Sequence, residues 1–256
     1  MTALNATDQL FQTDSYLRDF EARVIAVDAE QHGVILDRTA LYPGGGGQPA
    51  DHGTLAFDTA TVPVLGSKRA GEGILHLIDP SDALPEVGTS VTGSVGWDRR
   101  YALMRMHTAL HILCGVVFRD YESLVTGGNM ESDHARMDFE MDSADFTPDR
   151  VEEIRQRANT EIAAARDIRI AIHPREAAMQ IPDLIRTKIN LLPDAILEIR
   201  TVEIVGLDLQ ADGGTHVANT REVGGIEITG TRSKGRINKR INIALTDALS
   251  EPPTDA

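Results

Sequence analysis

His107 and His111 stand four residues apart in Arg105-Met106-His107-Thr108-Ala109-Leu110-His111, and His216 closes the run Ala211-Asp212-Gly213-Gly214-Thr215-His216 about a hundred residues later. In a helix, an i, i+4 spacing puts both imidazoles on one face, where each can give a ring nitrogen to a single divalent ion. The glycine pair lets the backbone turn tightly ahead of His216, so a third nitrogen and the Asp212 carboxylate can reach the same point. No glutamate follows His107, which removes the HExxH protease pattern. The pairing of the two segments points to a metal site made of His107, His111, His216 and Asp212. Cys114, the only cysteine, sits among Ile112, Leu113, Val116 and Val117 and reads as a small buried thiol.

The elements that must position these groups fall into two parts. Leu103, Met106, Leu110, Leu113 and Val117 recur at helical spacing and predict a helix that carries both early histidines. Thr147-Pro148 starts a second helix over 147–166, with proline at its first position. Strand-like runs at 168–172, 196–205, 226–231 and 240–245 complete an α+β pattern. Upstream, apolar runs at 20–27, 34–37, 54–57, 73–78 and 91–95 alternate with turn residues and show no helix-length period. A small barrel is their natural closure. The expected fold class is α+β, with an N-terminal β-barrel over 1–95, a two-layer α+β domain with the metal site over 96–249, and a frayed tail over 250–256.

Glycines 44–47 are followed by Gln48-Pro49 and not by Lys-Ser or Lys-Thr, so they form no P-loop. A strand-to-strand turn that requires positive φ accounts for them.

Composition narrows the setting. The chain has 256 residues, 41% of them hydrophobic, with one cysteine and a formal net charge of −14. No internal disulfide can form, which suits a reducing compartment. No uninterrupted apolar run approaches membrane-spanning length, and Met1-Thr2-Ala3-Leu4-Asn5 lacks a basic start and an apolar signal core. A cytoplasmic protein with no membrane partner, and a monomer, is expected. The acidic balance argues against a general nucleic-acid binder, but the charge is uneven. Residues 221–240 hold six Lys or Arg against two acids, while 120–153 hold eleven acids against two arginines. Such a basic stripe can hold an RNA end on an otherwise repelling body, or guard a strand edge.

Taken in order, Leu41-Tyr42-Pro43-Gly44-Gly45-Gly46-Gly47-Gln48-Pro49, Trp97-Asp98-Arg99-Arg100-Tyr101 with the histidine helix, Ala135-Arg136-Met137-Asp138-Phe139, Gly213-Gly214-Thr215-His216-Val217 and Ser233-Lys234-Gly235-Arg236-Ile237-Asn238-Lys239-Arg240-Ile241 resemble the editing domain shared by alanyl-tRNA synthetases and the stand-alone AlaX-type alanyl-tRNA editing proteins, in their medium-length form. The segments span nearly the whole chain. One departure stands out: the family's Cys-Gly-Gly-Thr-His has Asp212 at its first position here. A carboxylate is a legitimate zinc ligand but a harder one than thiolate.

The resemblance implies one divalent metal, expected to be zinc, and hydrolysis of the ester joining serine, and also glycine, to the 3′ end of tRNA(Ala). The metal could activate water or polarise the carbonyl, or it could position the ester; a shell filled by four side chains favours positioning. Discriminating serine from alanine needs a group that pairs with one hydroxyl. The family places such a side chain after the first helix, which makes Thr126 the candidate, with Thr108 and Thr215 as alternatives. It also places the glycine-rich loop by the pocket, here Gly46, Gly47 and Gln48. Arg232, Lys234, Arg236, Lys239 and Arg240 are the expected contacts to the tRNA acceptor end, joined by Arg99 and Arg100. A different metal-dependent ester or amide hydrolase, and a non-catalytic aminoacyl-tRNA-binding paralogue, remain as alternatives.

Overall fold

The computed structural model describes residues 6–189, 192–194 and 196–247. The expected tail over 250–256 lies outside the described residues. The chain divides into two compact units, Met1–Ala102 and Leu103–Ala256, so the division falls within the first helix, past the boundary expected at 95/96.

The first unit is a closed six-stranded barrel. Its strands are β2 (Asp19–Asp28), β3 (Gly33–Leu36), β5 (Gly53–Phe57), β6 (Ala60–Ala70), β7 (Gly73–Ile78) and β8 (Ser90–Val95), joined in the order β2-β3-β7-β6-β5-β8; β1 (Asp8–Gln9) and β4 (Arg38–Thr39) form a short parallel pair beside them. Alternation explains the closure. Phe20, Ala22 and Val24 turn inward from β2, and Val62 and Val64 from β6, to meet Leu36, Leu55 and Val91. The sequence reading missed β6, because Pro63 and Gly66 interrupt its apolar pattern. The structure accommodates both, with Pro63 opposite Thr54 on β5 and an irregularity between Val64 and Gly66 against β7. At Gly93 a Cβ would fall 2.2 Å from the Phe20 ring, so only glycine lets that ring fill the barrel end.

Glycines 44–47 all have positive φ, with Gly46 at 58° and Gly47 at 90°. Gly45 N–H donates to the Gln48 carbonyl at 3.0 Å and Gln48 N–H to the Gly45 carbonyl at 2.9 Å. This is the two-residue hairpin turn with two left-handed central residues.

The second unit begins within α1 (Trp97–Tyr121) and contains α2 (Pro148–Ala163) and the short α3 (Arg175–Ala178). Its first sheet runs in the order β14-β15-β10-β9, from β14 (Gly225–Ser233), β15 (Asn238–Thr246), β10 (His134–Glu140) and β9 (Val125–Met130). Its second runs β11-β12-β13, from β11 (Ile168–Pro174), β12 (Glu198–Ile204) and β13 (Asp208–Ala211). The fold class is α+β, as expected. Thr147 caps α2 by accepting the Arg150 N–H, with proline next in the chain. On the buried side of α2, Asn159 binds both backbone groups of Ile226 at 2.8–2.9 Å and so ties the start of β14.

By length and hydropathy α1 could cross a bilayer, yet 78% of its apolar window is buried in the fold. It is a core helix. Its first turn carries Arg100, fully buried and bonded through Nε and Nη2 to Asp51, with further bonds to the carbonyls of Ser15 at 3.0 Å and Ala40 at 2.5 Å. Arg100 is therefore buried within the first unit and is not an RNA contact, which corrects that expectation. Arg99 is half-buried and donates to the Ala50 carbonyl at 3.4 Å.

Inside the barrel His76 bonds Thr39 Oγ1 at 2.8 Å, and burial pushes its imidazole down to about 4 from an ordinary 6.5. The unfolded chain therefore binds a proton there that the folded chain refuses. Stability from this group is present above about pH 6.5 and is lost as pH falls toward 4, by about 3 kcal/mol in all. Urea unfolding of the wild type and His76→Asn at stepped pH should show a shallower acid loss in the variant. Parallel curves would refute this assignment.

Candidate metal centre

The helical spacing of His107 and His111 brings their rings to 5.1 Å, and His216 stacks on His107 at 4.3 Å with an interplanar angle of 30°. With Asp212 they form one group whose potential ligand atoms all lie within 4.8 Å of one another. His107 Nε2 is 3.5 Å from Asp212 Oδ1, and His216 Nε2 is 3.0 Å from Asp212 Oδ2. In a tetrahedral shell with bonds of about 2.0–2.1 Å, ligand atoms lie roughly 3.3 Å apart. The two observed separations bracket that value. A donor set of three imidazoles and one carboxylate suits zinc and other first-row divalent ions.

Three of the four side chains have neighbours behind them. Thr108, fully buried on α1, bonds His216 Nδ1 at 3.2 Å while accepting the Val217 N–H at 3.3 Å. A hydroxyl can donate to or accept from a ring nitrogen, so Thr108 can accept an Nδ1–H, with the Nε2 that faces Asp212 then unprotonated, as a metal ligand requires. His111 Nδ1 faces Asp208 Oδ2 at 3.3 Å, close but not aligned as a hydrogen bond. Asp208 is itself anchored by Gln210 Nε2 at 2.6 Å and lies 3.4 Å from Arg186 Nε. Asp212 begins a tight turn in which its Oδ2 accepts the Gly214 N–H at 2.7 Å. Arg200 on β12 donates to the Asp212 carbonyl at 3.0 Å and lies 3.8 Å from its carboxylate.

The protonation pattern follows from this packing. Burial lowers His107 to about 4, although Asp212 pulls the other way, and burial together with the charge of His107 drives His216 well down. At His111 burial is outweighed by Asp208 and Asp212, and the pKa rises. Burial would raise Asp212, but the three imidazoles hold it well below the usual carboxylate range. The site thus presents an ionised carboxylate beside two imidazoles, His107 and His216, that burial keeps neutral, the state a metal requires of such ligands, while the acids around His111 favour its charged form.

The other sequence candidates are dispersed. Thr108 sits behind His216, so its hydroxyl serves that imidazole. Thr215 is fully buried beside His216. Thr126 is exposed at the start of β9 and donates to Asn238 Oδ1 at 3.1 Å. In the first unit Gln48 is buried, while Gly46 is exposed and Gly47 half-buried at the hairpin turn. Arg232, Lys234 and Arg236 are exposed, and Arg240 is paired with Asp138 at 2.6 and 2.8 Å. Lys239 is buried, with Nζ on the carbonyls of Gly235 at 2.5 Å and Arg236 at 2.8 Å. It shapes the hairpin loop from inside and is not available to a ligand, which corrects its expected role. Cys114 is buried and its thiol is pushed up by burial. Asp208 and Arg200 were missed by sequence reasoning. The only available signal was an acid two residues after Gly206, which resembles any strand start.

Comparison with known proteins identifies the family. Residues 7–99 match the family described as tRNA synthetases class II (A), and residues 199–242 match the Threonyl and Alanyl tRNA synthetase second additional domain. The chain is thus built from parts that class II synthetases also carry. It is 39% identical to the Alanyl-tRNA editing protein AlaX-M of Saccharolobus solfataricus, over 92% of this chain and 97% of that protein. It is 36% identical to the AlaX-M protein of Methanosarcina barkeri over 94% and 100%, and 36% identical to the alanine–tRNA ligase of Pyrobaculum neutrophilum over 88% of this chain and 25% of the ligase. This chain belongs to the AlaX-M alanyl-tRNA editing family.

If the four side chains form one shell, metal analysis of the purified protein should find about one divalent ion per chain. Asp212→Ala should weaken zinc binding, while Asp212→Cys should keep or tighten it, because thiolate is the softer ligand. Competition with a chromogenic chelator reads both. Unchanged affinity in Asp212→Ala would remove the carboxylate from the shell.

Proposed function

We propose that the protein is a trans-acting deacylase that hydrolyses tRNA(Ala) carrying the wrong amino acid, chiefly serine and also glycine. The observation that carries this reading is the buried His107–His111–Asp212–His216 cluster, in a chain that matches AlaX-M proteins over nearly its full length. The ester of an aminoacyl-tRNA is already activated, so a modest catalyst suffices. A bound divalent ion, with Zn2+ the best fit to three imidazoles, would supply Lewis acidity or a fixed point of attachment for the substrate. Four side chains around one point favour attachment over water activation. Asp212 adds the negative charge that a Cys ligand would otherwise bring, and the Thr108 bond to His216 supports a metal-facing Nε2 on that ring.

Serine is distinguished from alanine by one hydroxyl. A pocket built to pair with it leaves its own polar group unsatisfied when alanine enters. Thr126 is the proposed reader, with Thr215 second. The acceptor end meets the cations of the β14–β15 hairpin, exposed Arg232, Lys234 and Arg236 and the Asp138-paired Arg240. The protein works as a monomer in the cytoplasm.

The deciding experiment compares serine release from Ser-tRNA(Ala) with alanine release from Ala-tRNA(Ala). Serine should be released faster by on the order of a hundredfold or more. His216→Ala should abolish release, and Thr126→Val should slow serine release more than it weakens tRNA binding. Equal rates on the two esters would overturn an editing role and favour a general esterase. Tight binding with no release would favour the non-catalytic paralogue.

A further inference from the structure

The four-stranded sheet of the second unit buries one side, where Met130, Ala135, Met137, Phe139, Ile241 and Ile243 pack. Side chains alternate across a strand, so the intervening residues form a second face. Register brings separate parts of the chain together there. Arg232 on β14 lies opposite Arg240 on β15, Arg240 opposite Asp138 on β10, and Arg136 on β10 between Asn242 and Asn129. Asp138 is buried and gathers three cations: Arg240 at 2.6 and 2.8 Å, Lys234 at 3.3 Å and Arg136 at 3.5 Å. With exposed Arg232, four cations share this patch with one central carboxylate, on a chain whose net charge is −14. The remaining acids on the face lie toward its ends: Glu140, paired with Lys188 at 2.5 Å, and Glu227 near the start of β14. Gly127 and Gly230 carry no side chain between the cations and keep the surface low. Arg136 and Arg232 stand on strands two apart, roughly 10 Å across the sheet.

We propose that this sheet face grips the sugar–phosphate backbone of RNA, with Arg136 and Arg232 as phosphate contacts on its two sides and Asp138 as the positioning residue that holds Arg240 and Lys234 between them. The proposal rests on the tRNA reading above and deepens it: the contact is a face drawn from three strands, not the hairpin alone, and Lys239 lies on its buried side. With their strands about 10 Å apart and their positions offset along the sheet, the two side chains have room to take separate phosphates of one run. The acidic remainder of the molecule disfavours a polyanion elsewhere, which confines it to this face.

The test measures binding of an uncharged tRNA(Ala) transcript from about 50 to about 200 mM salt, so that it does not depend on turnover. Arg136→Ala/Arg232→Ala should weaken binding about tenfold or more and reduce the log–log salt slope by about two. Arg38→Ala/Arg169→Ala, which removes the same charge from exposed positions outside the basic stripe, should leave both unchanged. Arg136→Lys/Arg232→Lys should recover most of the slope, and an unshifted Tm in all variants shows that the fold is intact. Equal losses in the two alanine pairs, or none in the first, would overturn the assignment. Wild-type binding that shows this pattern without any serine release would count against the deacylase reading alone.

Discussion

Three buried imidazoles and one half-buried carboxylate share a small space, and much of the second unit answers to that constraint. Burying a carboxylate without partners costs several kcal/mol. Asp212 therefore accepts a backbone N–H from its own turn, faces two imidazoles and lies near the Arg200 guanidinium. The imidazoles face the opposite problem, since burial disfavours their charged forms, and Thr108 and Asp208 sit behind two of them. Helix α1 can be buried along most of its length because its polar side chains meet partners on every side. Arg100 meets Asp51, Arg105 meets the carbonyls of Val223 and Thr246, and Arg119 meets Glu161.

The sequence shows periodic features well and cross-strand ones poorly. The helical period from Leu103 to Val117 and the four-residue histidine spacing are local, and α1 forms with both rings on one side. The proline start of α2 is equally local. The barrel is legible from its alternating strands except at β6, where Pro63 and Gly66 mask the pattern that Val62 and Val64 carry. Asp208 and Arg200 reach the centre by sheet register, which no spacing along the chain encodes. Lys239 and Arg240 illustrate the same limit. As adjacent residues in a basic run they look equivalent, yet strand alternation sends one to the interior and the other to Asp138.

Electrostatics divides the surface in a way that net charge conceals. The acids of the second helix are largely paired with nearby arginines, Glu152 with Arg155 and Glu153 with Arg157. Such exposed pairs contribute little to stability, but they leave the helix surface near neutrality. On the β10–β15 face, by contrast, the cations outnumber the acid that holds them. The chain is acidic as a whole and cationic at one place.

The Arg100–Asp51 pair also bears on where the chain can be divided. A fragment that stops at residue 95 would keep Asp51 and the carbonyls of Ser15 and Ala40 but lose the guanidinium that meets them all. Removing one partner of a buried ion pair costs about 3–5 kcal/mol, a large share of what a small barrel has in hand. The barrel is therefore autonomous only if it takes the opening turn of the next element with it. Its folding boundary lies inside a helix.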